Sequence, residues 1–128
     1  MSYKASCCCG ALSLEIAAKP KLNAVCHCDN CKRRTGSAFG HSLYFNREAL
    51  ESVSGDFHTY ELENESGKQQ RHFCPDCGTT LFWYWELFQE WVGVAGGCID
   101  SATPEPAISA CHERARTWIE LPDSWRRF

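Results

Sequence analysis

With 128 residues, 44% hydrophobic and 12% aromatic, the chain can bury one core but not two. That composition excludes intrinsic disorder, which goes with few apolar residues and a large net charge. A formal net charge of −3 argues against a general binder of nucleic acid or of anionic membranes.

No apolar run approaches the roughly 20 residues that a membrane-spanning helix needs. The longest apolar-aromatic stretch, residues 81–85, is strand-sized. The first six residues run into cysteines without the apolar core of a signal peptide. A soluble, cytoplasmic protein is therefore expected. In a reducing compartment, ten cysteines point to metal or redox chemistry rather than to a disulfide framework. Their spacing agrees: seven of the ten fall in C-x-C, C-x-C-x-x-C and C-x-x-C groups, close enough together for chelation.

Residues 6–9 are expected to open a strand. Alternate side chains would then place Cys7 and Cys9 on one face and Cys8 on the other, as a small buried residue. Gly10 frees the backbone to turn. Residues 11–16 alternate apolar and polar, which predicts a half-buried strand. After a turn at Lys19-Pro20-Lys21, a short strand over 22–26 delivers Cys26-His27-Cys28-Asp29-Asn30-Cys31. Residues 32–37 are cationic and predict a loop or a single helical turn stopped by Gly36. Residues 38–45 read as a buried strand with Phe39, Leu43 and Phe45 in the core.

Residues 46–50 predict a turn or short helix, and Gly55-Asp56 signals a hairpin before a strand over 57–62. A polar turn around Gly67 leads to a strand over 69–74 and a second cysteine knuckle. Strands over 79–85 and 91–95 follow, separated by a short loop or helical turn at 87–90 and ended by Gly96-Gly97. Residues 107–111 and 117–121 are predicted as final short strands, before a polar, aromatic tail over 122–128. Trp83, Tyr84, Trp85 and Trp91 are assigned to the core, with an aromatic wall on a pocket as the alternative. The reading is one all-β domain of small sheets.

Cys74-Pro75-Asp76-Cys77-Gly78 has the form of a zinc knuckle. Two thiolates at i and i+3 can grip one ion, Pro fixes φ in the turn, and Gly takes a left-handed conformation cheaply. A redox C-x-x-C normally opens a long helix, whereas the residues that follow here, Thr79 to Trp85, are strand formers. Structural zinc needs four ligands, and Cys7 and Cys9 are the natural complement.

That leaves Cys26, Cys28 and Cys31. Catalytic zinc keeps three protein ligands and an open position. Three thiolates favour a soft fourth ligand, such as a substrate thiol held as thiolate. The chemistry this suits is addition of a small thiol to an electrophilic carbon, or its reversal. Alternatively a fourth protein ligand closes the site, with Cys98, Cys111, His27, His41, His72 and His112 as candidates. Spacing alone does not decide between the two. Lys32, Arg33 and Arg34 either attract a carboxylate-bearing substrate or form a solvated cationic face. Cys98 and Cys111, standing alone, read as small buried residues.

The combined pattern resembles the glutathione-dependent formaldehyde-activating enzyme family, which shares its domain with centromere protein V. The matching elements are Cys7-x-Cys9-Gly10; Cys26-x-Cys28-x-x-Cys31 with Arg33 and Gly36; and Phe73-Cys74-x-x-Cys77-Gly78 with Leu81-Phe82. Ala95-Gly96-Gly97 and Trp118-x-x-Leu121 are similar too. The resemblance implies a β-tent of small antiparallel sheets with two zinc ions per chain. It implies Cys7, Cys9, Cys74 and Cys77 as ligands of a structural ion, and Cys26, Cys28 and Cys31 as ligands of a catalytic one. The activity implied is condensation of formaldehyde with glutathione to S-(hydroxymethyl)glutathione, a carbon–sulfur lyase reaction.

Three readings follow. The first is a zinc-dependent enzyme acting on a glutathione or similar small-thiol adduct, with Arg33 as a carboxylate anchor. The second is a non-catalytic zinc scaffold that binds a protein. The third is a redox switch in which Cys26, Cys28 and Cys31 release zinc. No nucleic-acid or membrane partner is expected, and nothing in the sequence opposes a homodimer.

Overall fold

The structure is a computed structural model that describes residues 2–101 and 103–128. Short runs of alternating polarity fold into two sheets. The smaller has three strands in the order β1 (Tyr3–Ser6), β2 (Ser13–Ile16) and β5 (Leu50–Ser54), all antiparallel. The larger contains β3 (Leu22–Cys26), β4 (Gly40–Asn46), β6 (His58–Asn64), β7 (Gly67–Phe73), β8 (Thr80–Trp85), β9 (Trp91–Ala95), β10 (Ile108–Ala110) and β11 (Arg126–Arg127). Its order is β11-β10-β3-β4-β9-β8-β7-β6. One α-helix, α1 (Asp29–Thr35), interrupts the strands.

The main core lies between the sheets. Leu12, Leu14 and Ile16 meet Leu43, Phe45, Phe82, Val92 and Val94 in one buried cluster. The strand period of two puts Leu43 and Phe45 on this face and Ser42 and Tyr44 on the other. The second face carries Tyr44, Trp83 and Ala95, packed against half-buried Leu22, Trp85, Phe88 and Trp91. There the Trp83 Nε1 donates to Tyr44 Oη at 3.1 Å. Gly93 faces Trp83 across the β8–β9 pair. A Cβ at that position would lie 2.3 Å from Trp83 Nε1, so only glycine lets the indole lie there.

Several expectations are corrected. Residues 7–9 are not strand: β1 ends at Ser6, and the cysteines sit in a turn. Cys8 is exposed, not buried. Gly55-Asp56 closes no hairpin, because β5 belongs to the small sheet and β6 to the large one. Gly55 marks the point where the chain changes sheet. Its φ is +94°, and a Cβ there would come 1.9 Å from the Ala11 carbonyl oxygen. Residues 117–121 form no strand. Instead β11 forms within the tail, and β10 pairs in parallel with both β11 and β3, so the large sheet is not wholly antiparallel. Trp83 is buried as expected, whereas Tyr84, Trp85, Trp91 and Phe39 are half-buried. The sequence reading of 22–26 and 91–95 coincides with β3 and β9.

Candidate metal centres

Two turns of similar build bring the first cysteine group together. In one, Cys7 N–H donates to Leu12 O at 2.9 Å, Gly10 N–H donates to Cys7 O at 3.0 Å, and Gly10 has φ +80°. In the other, Cys74 N–H donates to Thr79 O at 3.0 Å, Gly78 N–H donates to Cys74 O at 2.8 Å, and Gly78 has φ +77°. The turns meet at the sulfurs. Cys7 Sγ lies 3.7 Å from Cys9 Sγ, which lies 3.7 Å from Cys74 Sγ. With Cys77 the four sulfurs all fall within 4.8 Å of one another. Tetrahedral zinc with Zn–S bonds of about 2.3 Å needs sulfurs about 3.8 Å apart, so the donor set fits such an ion. The Thr79 hydroxyl, 3.2 Å from Cys77 Sγ, is the main cause holding that thiol down at about 5.

The second group is Cys26, Cys28 and Cys31, whose sulfurs also lie within 4.8 Å of one another. Cys26 ends β3, and Cys28 is the N-cap of α1, its sulfur 3.4 Å from Cys31 N–H. His27 is fully buried, with Nε2 2.9 Å from Ser109 Oγ, which lies 2.8 Å from His112 Nδ1. Among the described residues no fourth His, Cys, Asp or Glu atom joins this cluster. The other candidates are engaged elsewhere: His41 Nε2 pairs with Asn23 Oδ1, and His72 is stacked on Phe82 at 4.5 Å. Cys98 and Cys111 are half-buried and stand outside the cluster. Without a metal, the Cys26 and Cys31 thiols and nearby backbone N–H groups hold Cys28 far below the usual thiol range, while Cys26 is pushed up by sharing its hydrogen bonds with Cys28 and Cys31.

The cationic run after Cys31 divides three ways. Lys32 is buried, and its Nζ donates to Arg114 O at 2.7 Å, a structural tie. Arg33 is exposed. Arg34 lies 4.3 Å above the Trp83 ring, with Nη2 3.5 Å from Ser42 Oγ. A further arginine, Arg71 on β7, reaches the N-terminal end of α1. Its Nη2 donates to Asn30 Oδ1 at 2.9 Å and its Nε to Gln69 Oε1 at 3.1 Å. Sequence reasoning missed Arg71 and Ser109 because no local motif marks them, and His112, a candidate fourth ligand by sequence, bonds Ser109 instead. A cleft of about 530 Å³ opens here between α1 and the β6–β7 hairpin, with Arg33 and Arg71 in its lining. A larger one, about 690 Å³, lies around Arg47, Gln70 and Tyr84; neither lining includes a cysteine.

A family model described as glutathione-dependent formaldehyde-activating enzyme matches residues 2–120. The chain belongs to the glutathione-dependent formaldehyde-activating enzyme family. A Halomonas elongata protein named "Putative glutathione-dependent formaldehyde-activating enzyme" is 26% identical over 129 residues, covering 94% of this chain and 82% of that protein. An uncharacterized lyase of Schizosaccharomyces pombe is 35% identical over 81 residues, which is 62% of this chain and 56% of the yeast protein. A crystal structure of a Rhodobacter sphaeroides protein matches with a TM-score of 0.63 at 22% identity, over 79% of this chain and 91% of that one. It shows a shared fold. Among the described residues no helix is long and apolar enough to cross a membrane.

Proposed function

We propose that this family member is a zinc-dependent enzyme of the carbon–sulfur lyase type, acting on an adduct of glutathione or a similar small thiol. The observation that carries this reading is a cluster of three thiols with no fourth ligand beside it among the described residues. Cys7, Cys9, Cys74 and Cys77 would hold a structural ion that ties the N-terminal turn to the second knuckle. Cys26, Cys28 and Cys31 would hold the second ion, which when bound supplies a Lewis-acidic position that keeps a thiol sulfur as thiolate at neutral pH.

The chain's own residues do the rest. The N-cap geometry of Cys28 and the burial of His27 fix the direction in which the three sulfurs point. Arg34 supplies positive charge beside them, which favours a thiolate over a thiol. In the reaction named by the family, the sulfur forms a bond to the carbonyl carbon of formaldehyde. The C=O π pair moves to oxygen, and the proton lost by the thiol is returned to that oxygen. Nothing else is consumed.

The test is Cys28→Ser. The expected result is a folded protein that binds one zinc ion instead of two and forms no S-(hydroxymethyl)glutathione. An active Cys28→Ser protein would overturn the proposal. A wild-type protein that holds two ions, binds no thiol and retains a protein partner would instead be a zinc scaffold.

A further inference from the structure

The cleft beside the second thiol group is lined by two arginines, Arg33 and Arg71, and by two carboxylates: Asp29, which pairs with Arg114 at 3.7 Å, and the exposed Glu65. Arg71 is half-buried in its lining, and the hydrogen bonds that orient it go to two neutral amides, Asn30 and Gln69. Asn30 Oδ1 also accepts from Asn64 Nδ2 at 2.9 Å, which fixes it between the helix and the hairpin. Gln69 is buried. The guanidinium is thus held in place, yet the ion pairs among the described residues, Arg114–Asp29 and Arg127–Asp123, do not include it.

A partly desolvated cation oriented by neutral groups has lost water without a carboxylate paired to it, and the nearby Cys31 and Cys28 sulfurs offset only part of that loss. Its planar fork matches a carboxylate in two parallel hydrogen bonds. Arg33, also in the lining, adds a second, exposed cation. Cys31 follows Asn30 directly in α1, so the cleft begins one residue from the thiol group. A volume of about 530 Å³ is that of a small-ligand site.

We propose that Arg71, assisted by Arg33, binds a carboxylate of the thiol substrate in this cleft, and so selects carboxylate-bearing thiols over neutral ones. This assignment rests on reading Cys26, Cys28 and Cys31 as a thiol-binding centre. It gives that centre its specificity: the sulfur is held at the cysteines and the acidic end in the cleft. Arg34, stacked on Trp83, lies outside the cleft lining and stays with the thiols.

The test uses the full chain loaded with Co²⁺ and titrated with glutathione, its diethyl ester and 2-mercaptoethanol, read as the change in thiolate-to-cobalt absorption. Wild-type protein is expected to bind glutathione about tenfold or more tightly than the diester, the value of one charge-assisted contact. Arg71→Gln should lower glutathione affinity by about the same factor and leave 2-mercaptoethanol unchanged. Arg71→Lys, which keeps the charge without the fork, should restore part of the preference. Equal loss for both thiols in Arg71→Gln would overturn the assignment, as would a wild-type protein that does not distinguish glutathione from its diester. That wild-type comparison stands alone if Arg71→Gln fails to fold. If no thiol changes the wild-type cobalt spectrum, the thiol-centre reading itself falls, and this assignment with it.

Discussion

Gly40 lies directly against Cys31. A Cβ built on it would sit 3.1 Å from Cys31 Cβ and 2.8 Å from Arg34 Nη2. Gly40 is also the cross-strand partner of Cys26. One residue without a side chain thus lets β3, β4 and α1 converge on the second thiol group.

Gly40→Ala follows from that contact. The Arg34 tip can swing away at little cost, but Cys31 is fixed in the helix and must shift by a few tenths of an ångström. The protein should fold and keep its first metal. Affinity at the second site should fall about tenfold, the scale of a mild overpacking strain. Competition against a chromophoric zinc chelator reads both sites, and unchanged second-site affinity would contradict the argument.

The first site joins residues 65 positions apart, Cys9 and Cys74. Closing so long a loop with an ion that the unfolded chain does not bind well should contribute several kcal/mol. Chelation, or Cys74→Ser, should therefore lower the melting temperature by roughly 10–20 °C. Cys28→Ser should lower it much less, because Cys26, Cys28 and Cys31 span only six residues. Equal shifts in the two variants would contradict the division of roles.

The contrast between these sites shows what the sequence made legible. Cysteine spacing in C-x-C and C-x-x-C groups is local, so the knuckle at 74–77 and the triplet at 26–31 could be read directly. Strands with strong apolar content, such as β3 and β9, were equally plain. Long-range pairing was not. The residues of β5 carry little apolar signal and owe their strand to a partner, β2, some forty positions away. The parallel pairing of β10 with β3 rests on burial of Ser109 against His27, a polar contact that hydrophobic periodicity cannot register. Residues 117–121 carry β-formers but find no strand to pair with. Arg71 looked like any charged strand residue until Asn30 and Gln69 gave it an orientation.

Burial also makes stability depend on pH. His41 is half-buried, its Nε2 2.6 Å from Asn23 Oδ1, and burial depresses its pKa. The unfolded chain takes up a proton near the ordinary histidine value of about 6.5, while the folded one refuses it until a lower pH. Stability is then fully present above about 6.5 and falls as the pH drops through the folded pKa. Urea midpoints of metal-loaded wild type and His41→Gln between pH 7.5 and 5.5 check this, with the variant expected to show the shallower decline. Parallel profiles would exclude His41 as a source.

Charge counting gives the last prediction. Three thiolates bring three negative charges and a divalent ion two positive ones, so the loaded second site carries a net −1, and −2 once a substrate thiolate joins it. Arg34, held above Trp83 and crowding the same point over Gly40 as Cys31, is placed to offset that charge. Placed beside Cys31, it meets the sulfur end of any thiol. Arg34→Gln should therefore weaken 2-mercaptoethanol and glutathione alike, by several-fold to about tenfold for a partly screened charge. It should also raise the pH at which half of the bound thiol is deprotonated, seen as a shift of the cobalt charge-transfer titration toward alkaline pH. A loss confined to glutathione would instead make Arg34 a second carboxylate ligand, and no loss with either thiol would mean that its charge is already neutralised by solvent.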